Sequence, residues 1–102
     1  MTDTRRLREA LVERILDGTG MASPGQRRAA FENTGLGEPL QTLIGKVAMQ
    51  AVAVTDRDVA AARASGLTED QIFEMVVCAA VGQATRQFES ADAALESARR
   101  GK

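Results

Sequence analysis

Histidine, tryptophan and tyrosine are absent from the chain, and cysteine occurs once, at Cys78. The lack of histidine removes the commonest general base, the Ser-His and Cys-His nucleophile pairs and most zinc sites, so neither a metal nor a cofactor is expected. A single cysteine excludes an internal disulfide, and its apolar setting in "EMVVCAAVG" marks a buried free thiol of a cytoplasmic protein. Aromatics reduce to Phe31, Phe73 and Phe88, and no stretch has the period-2 alternation of a strand. Neither sign of charge dominates: the formal net charge is -1, which leaves no global field for nucleic acid or an anionic membrane. No apolar run reaches the length of a membrane span. The opening "MTDTRRLREALVERIL" mixes charge with apolar residues throughout and does not read as a signal peptide.

What is present is helix-forming. Alanine, leucine, valine, glutamate and arginine dominate a chain of 102 residues, 44% of them hydrophobic, which predicts one all-α domain over residues 1–102 with five to six helices. Leu7, Leu11 and Ile15, with Val12 and Leu16, form the stripe of a first helix that stops at "DGTG", where glycine allows a left-handed cap. Ser23-Pro24 reads as the cap and first turn of a short helix closed by Gly35. Pro39 opens a third, expected over 39–53, in which Leu40, Leu43, Ile44, Val47 and Ala51 share one face. Thr55 with Asp58, and Thr68 with Gln71, have capping-box spacing, which starts a fourth helix ending at Gly66 and a fifth containing "IFEMVVCAAV". That fifth helix is apolar on nearly all sides. The pattern turns polar after Gly82, leaving Phe88, Ala91 and Leu95 as a thinner stripe expected to cover part of it. Arg5-Arg6, Arg27-Arg28 and Arg99-Arg100 read as solvated faces.

The run Ala62, Gly66, Leu67, Thr68, Ile72 and Glu74 has the form A-x-x-x-G-L-[ST]-x-x-x-I-x-E. It resembles the core of the alkylhydroperoxidase D and carboxymuconolactone decarboxylase family, small all-helical proteins, over about residues 39–95. In the peroxidase branch a C-x-x-C-x-x-x-H motif precedes this run, and the resemblance places Ala51 and Val54 at the two cysteines and Asp58 at the histidine. The decarboxylase branch keeps that histidine with a glutamate four residues before it, where this chain has Val54. Both mechanisms are therefore missing their side chains. The resemblance implies the scaffold without the redox dithiol, hence a non-redox oligomeric interaction or small-ligand-binding protein. The enzyme alternative gives Asp58 the role of a substituted acid or base, in a peroxide-linked or lactone-decarboxylating reaction, against which stands its plain use as a helix-capping residue.

A third reading, a DNA-binding helix-turn-helix, fits the spacing of "AARASGLTEDQIFEMVV" but meets Glu69, Asp70 and Glu74 where phosphate contacts need cations. No nucleic-acid or membrane partner is expected. The expected partner is a second copy of the chain. A helix without a polar face needs more cover than four short helices supply, so a patch around Phe73, Val77 and Ala80 is expected at an interface, and the resemblance implies a trimer or hexamer. The competing expectation is that residues 1–38 fold over that patch.

Overall fold

A computed structural model describes residues 2–101, which form five α-helices and, among the described residues, no strand. The helices are α1 (Thr2–Asp17), α2 (Pro24–Glu32), α3 (Leu40–Met49), α4 (Asp56–Ala64) and α5 (Glu69–Arg100), with a 3-10 turn at Ala51–Ala53 between α3 and α4. No described helix is long and apolar enough to cross a membrane.

Local chemistry sets most of the boundaries. Ser23, Thr55 and Thr68 each accept a hydrogen bond from the backbone N–H three residues on, while the side chains of Gln26, Asp58 and Gln71 accept one in return from the cap residue's own N–H. Those capping boxes satisfy amides that a helix start leaves without partners. Gly66 takes the left-handed conformation between α4 and α5, with φ 107°. Asn33, rather than Gly35, is the left-handed cap of α2, with φ 55°; Gly35 follows with φ 85°. α1 does not end in a left-handed glycine at all. A Cβ on Gly20 would lie 2.6 Å from Glu74 Oε1, so close approach of a side chain, not backbone freedom, calls for glycine there.

α3 is shorter than its apolar pattern suggests. Gln50 leaves the helical region at φ -159°, ψ 67°, and Ala51 sits exposed in the 3-10 turn rather than on the buried face. Leu43 and Ile44 are the inward residues. Leu43, with Val54 and Ala62, joins α3 and α4 to Ile72 of α5, while Ile44 belongs to the cluster of Met75, Cys78 and Ala79.

The hub of the fold is α5, and it is one unbroken helix of 32 residues, about 48 Å long at 1.5 Å per residue. Its continuity explains the dimensions of 54 × 29 × 20 Å and a radius of gyration of 15.5 Å, against about 13 Å for a compact chain of this length. The core lies against one side of its N-terminal half, through Ile72, Met75, Cys78, Ala79 and Gly82. α2 makes the broadest contact with it, at a crossing so close that a Cβ on Gly82 would run into the Phe31 carbonyl. Because the helix does not break after Gly82, Phe88, Ala91 and Leu95 cannot turn back to cover Phe73 and Val77. They extend the same outward face instead. Residues 5–38 do not cover Phe73, which stays 67% exposed; α1 reaches the row only farther along, where the Arg8 guanidinium stacks on the Phe88 ring at 4.1 Å.

Candidate functional site

Two places gather polar side chains, and they lie in different parts of the core. The first is Asp58, at the third position of α4. Its Oδ2 accepts from the Thr55 amide at 2.9 Å and the Thr55 hydroxyl at 3.1 Å, while the Lys46 ammonium, from α3, donates to both carboxylate oxygens at 2.9 and 3.0 Å. Only 14% of the Asp58 side chain is exposed. The Lys46 hydrogen bond first, then the Thr55 amide, hold its carboxyl below the ordinary aspartate range. A carboxylate so held is ionised at neutral pH, cannot donate a proton and is a weak base. Its position makes it both the cap of α4 and a strut to α3. Ala51 is exposed in the neighbouring turn and Val54 is half-buried against Leu43, so the two positions that the resemblance assigns to a dithiol carry no reactive group.

The second place is the junction of α1, the α1–α2 loop and α5. Here Arg27 is 5% exposed, which corrects its reading as part of a solvated pair. Its Nη1 donates to the Ile15 carbonyl at 3.1 Å and the Gly18 carbonyl at 2.6 Å, so a cation from α2 closes the C-terminal end of α1, where carbonyls lack partners and the helix dipole favours positive charge. Arg27 Nε is buried with no hydrogen-bond partner. From the other side, Glu74 accepts from the Met21 amide at 2.8 Å and the Ala22 amide at 2.9 Å, and Gln71 donates to the Met21 carbonyl at 3.3 Å. Those two amides, with the Arg27 charge in support, lower the Glu74 carboxyl from its ordinary range. The loop is thus clasped by both ends of an Arg–Glu pair that does not itself bond.

Cys78 borders the same junction. It is fully buried, its Sγ lies 3.9 Å from the Ile15 carbonyl, and burial raises its pKa despite the opposing charge of Arg27. A protonated, enclosed thiol is a poor nucleophile. A cleft of about 250 Å³ opens beside these groups, with Thr19 and Arg14 at one wall and Phe73 and Val77 at the other. Among the described residues, no three His, Cys, Asp or Glu side chains converge as a metal site would require.

Asp58 and Cys78 therefore do not meet. Asp58 sits over the part of the core built on Leu43 and Ala62, Cys78 in the part built on Leu16 and Ala30. Phe73, Val77 and Ala80 lie together on the outward side of α5, with Phe73 and Ala80 exposed and Val77 half-buried. The polar residues that sequence reasoning passed over are Arg27, Lys46 and the clasping role of Glu74. Arg27 precedes Ala30 and Phe31 by three and four positions, which places all three on one helical face, and that spacing is the one signal of its burial. No protein-family profile, curated protein or solved structure matches the chain.

Proposed function

We propose that this chain is a non-redox, self-associating interaction protein built on a scaffold of the alkylhydroperoxidase D-like kind. The observation that carries the reading is the outward face of α5, where Phe73, Phe88 and Leu95 remain 67%, 46% and 57% exposed along one helix. Isolated exposed apolar residues are ordinary, but a contiguous row of them marks an interaction surface. The chemistry of the interior supports the same side of the argument. One enclosed thiol has no resolving partner, and the carboxylate at the family's histidine position is bound to Lys46. For a small ligand the cleft beside Arg27 offers about 250 Å³, below the usual range of about 300–1,000 Å³, and the groove between α1, α2 and Arg86 about 430 Å³, within it. The exposed row on α5 ranks interaction above ligand binding, and the missing reactive groups rank both above catalysis.

Duplex DNA is not a partner in this reading, since the first turn of α5 carries Glu69 and Asp70. Two measurements test the proposal. Light scattering at tens of micromolar protein should give a mass above the 10.9 kDa of one chain. A coupled assay with an organic hydroperoxide and a dithiol reductant should show no turnover. A monomer, or turnover that disappears in Cys78→Ser, would overturn it.

A further inference from the structure

Resting on the self-association proposed above, we infer that the partner of α5 is the α5 of a second copy, laid antiparallel across a two-fold axis near residues 84–88. At 3.6 residues per turn, Phe73, Val77, Ala80, Ala84, Phe88, Ala91, Leu95 and Ala98 fall within an arc of about 80°, and every residue of that arc between 73 and 98 is apolar. The arc lies opposite Met75, Cys78 and Gly82, the side of the helix that meets the core. At 1.5 Å per residue the row runs for about 39 Å. The spacing of three and four residues is that of a helix-pairing seam, in which each side chain enters a gap on the facing helix.

Size and charge choose the direction. In an antiparallel pair Phe73 faces Ala98, Val77 faces Leu95, Ala80 faces Ala91 and Ala84 faces Phe88, so each phenyl ring meets an alanine and small meets small in one layer only, Ala80 against Ala91. A parallel, in-register pair sets ring on ring at 73 and 88 and leaves gaps at the alanines. The flanks agree. The N-terminal end of the row carries Glu69 and Asp70 and the C-terminal end Arg99 and Arg100, so antiparallel ends attract and parallel ends set like charges together. Opposed helix dipoles add in the same direction. Near the axis, where a residue meets its own copy, the flanking α5 side chains Gln83, Thr85 and Gln87 are uncharged, and the charge beside the seam there is the Arg8 guanidinium stacked on Phe88.

The antiparallel pair also covers what a single chain leaves open. The C-terminal half of α5 projects beyond the core, and its apolar row would lie over Phe73 and Val77 of the other copy. A two-fold pairing allows a dimer or a hexamer and forbids a simple three-fold trimer.

A charge swap across one layer tests the direction. Ala80 and Ala91 are exposed, so a charged residue at either position leaves the core of each chain intact. Ala80→Glu alone should shift the assembly to monomers, weakening association at least tenfold by sedimentation equilibrium, with the helical circular dichroism signal unchanged. Adding Ala91→Lys should restore it, because the new charges meet across the antiparallel interface but meet only their own copies in a parallel one. An assembly indifferent to Ala80→Glu would sink the α5 seam while leaving self-association standing. Failure of the double variant to recover, or a wild-type trimer, would refute the antiparallel direction. A wild-type monomer would remove both this inference and the functional reading beneath it.

Discussion

Replacing Gly82 by alanine should destabilise the protein, although alanine is the better helix former. On helix propensity alone the change adds about 1 kcal/mol in the middle of a helix. The structure reverses the sign. A Cβ at Gly82 would meet the carbonyl oxygen and carbon of Phe31 in α2, and these are backbone atoms that cannot rotate aside. A carbon needs about 3.3 Å from a carbonyl oxygen, so the α2 and α5 backbones would have to part by roughly 1 Å. Their separation disturbs the broadest helix contact in the fold, together with the hydrogen bond that Arg86 donates to the same Phe31 oxygen at 2.7 Å. Overpacking of this kind costs about 1–3 kcal/mol, and a backbone clash belongs at the upper end. After the propensity gain is subtracted, a net loss of about 1–2 kcal/mol remains, or roughly 5–15 °C in melting temperature. Gly45 is the internal control, an α3 glycine whose Cβ would find only Asn33 Oδ1, at 3.7 Å. Gly45→Ala should therefore stabilise by about 0.5–1 kcal/mol. Urea denaturation of the three proteins at one concentration measures both effects. A Gly82→Ala protein as stable as the wild type, or more so, would show that the α2–α5 crossing is not as close as described.

Glu74 should make the protein acid-sensitive in a defined window. Its folded-state pKa is lowered, so its contribution is fully present above the unfolded value of about 4.3 and is lost as pH falls through the lower folded one; Glu74→Gln should flatten the acid limb of a stability–pH curve, and an unchanged limb would count against the clasp on Met21 and Ala22. Thr55→Ala should cost about 1 kcal/mol through loss of the α4 cap, a value within reach of thermal melts; no loss would mean that Asp58 and Lys46 hold α4 without it. Asp58→Asn should lower stability most at low salt, by removing the charge opposite Lys46, and a change independent of ionic strength would contradict that pairing. Cys78 should react with a thiol reagent only as fast as the chain unfolds, whereas rapid stoichiometric labelling of the native protein would place the thiol at the surface.

Much of this architecture follows from the sequence alone, because its determinants are local. The capping boxes at Thr55 and Thr68, the Ser23-Pro24 start of α2 and the left-handed Gly66 are interactions between residues three or four apart, and no tertiary partner is needed to form them. The absence of histidine and of a second cysteine likewise limits the chemistry without reference to any fold. Tertiary structure decided what depends on distant partners. Whether a glycine serves backbone freedom or close approach is settled by what stands opposite it: Glu74 for Gly20, Phe31 for Gly82. Arg27 looks like its exposed neighbour Arg28 until the carbonyls of Ile15 and Gly18 are brought to it across the α1–α2 turn. The polar shift after Gly82 suggests a helix end, but the backbone continues because the residues beyond it are good helix formers, and only their burial changes. That continuity makes α5 a rod with one face in the core and the opposite face largely open, so the C-terminal stripe expected to cover part of the apolar segment extends its exposed row instead.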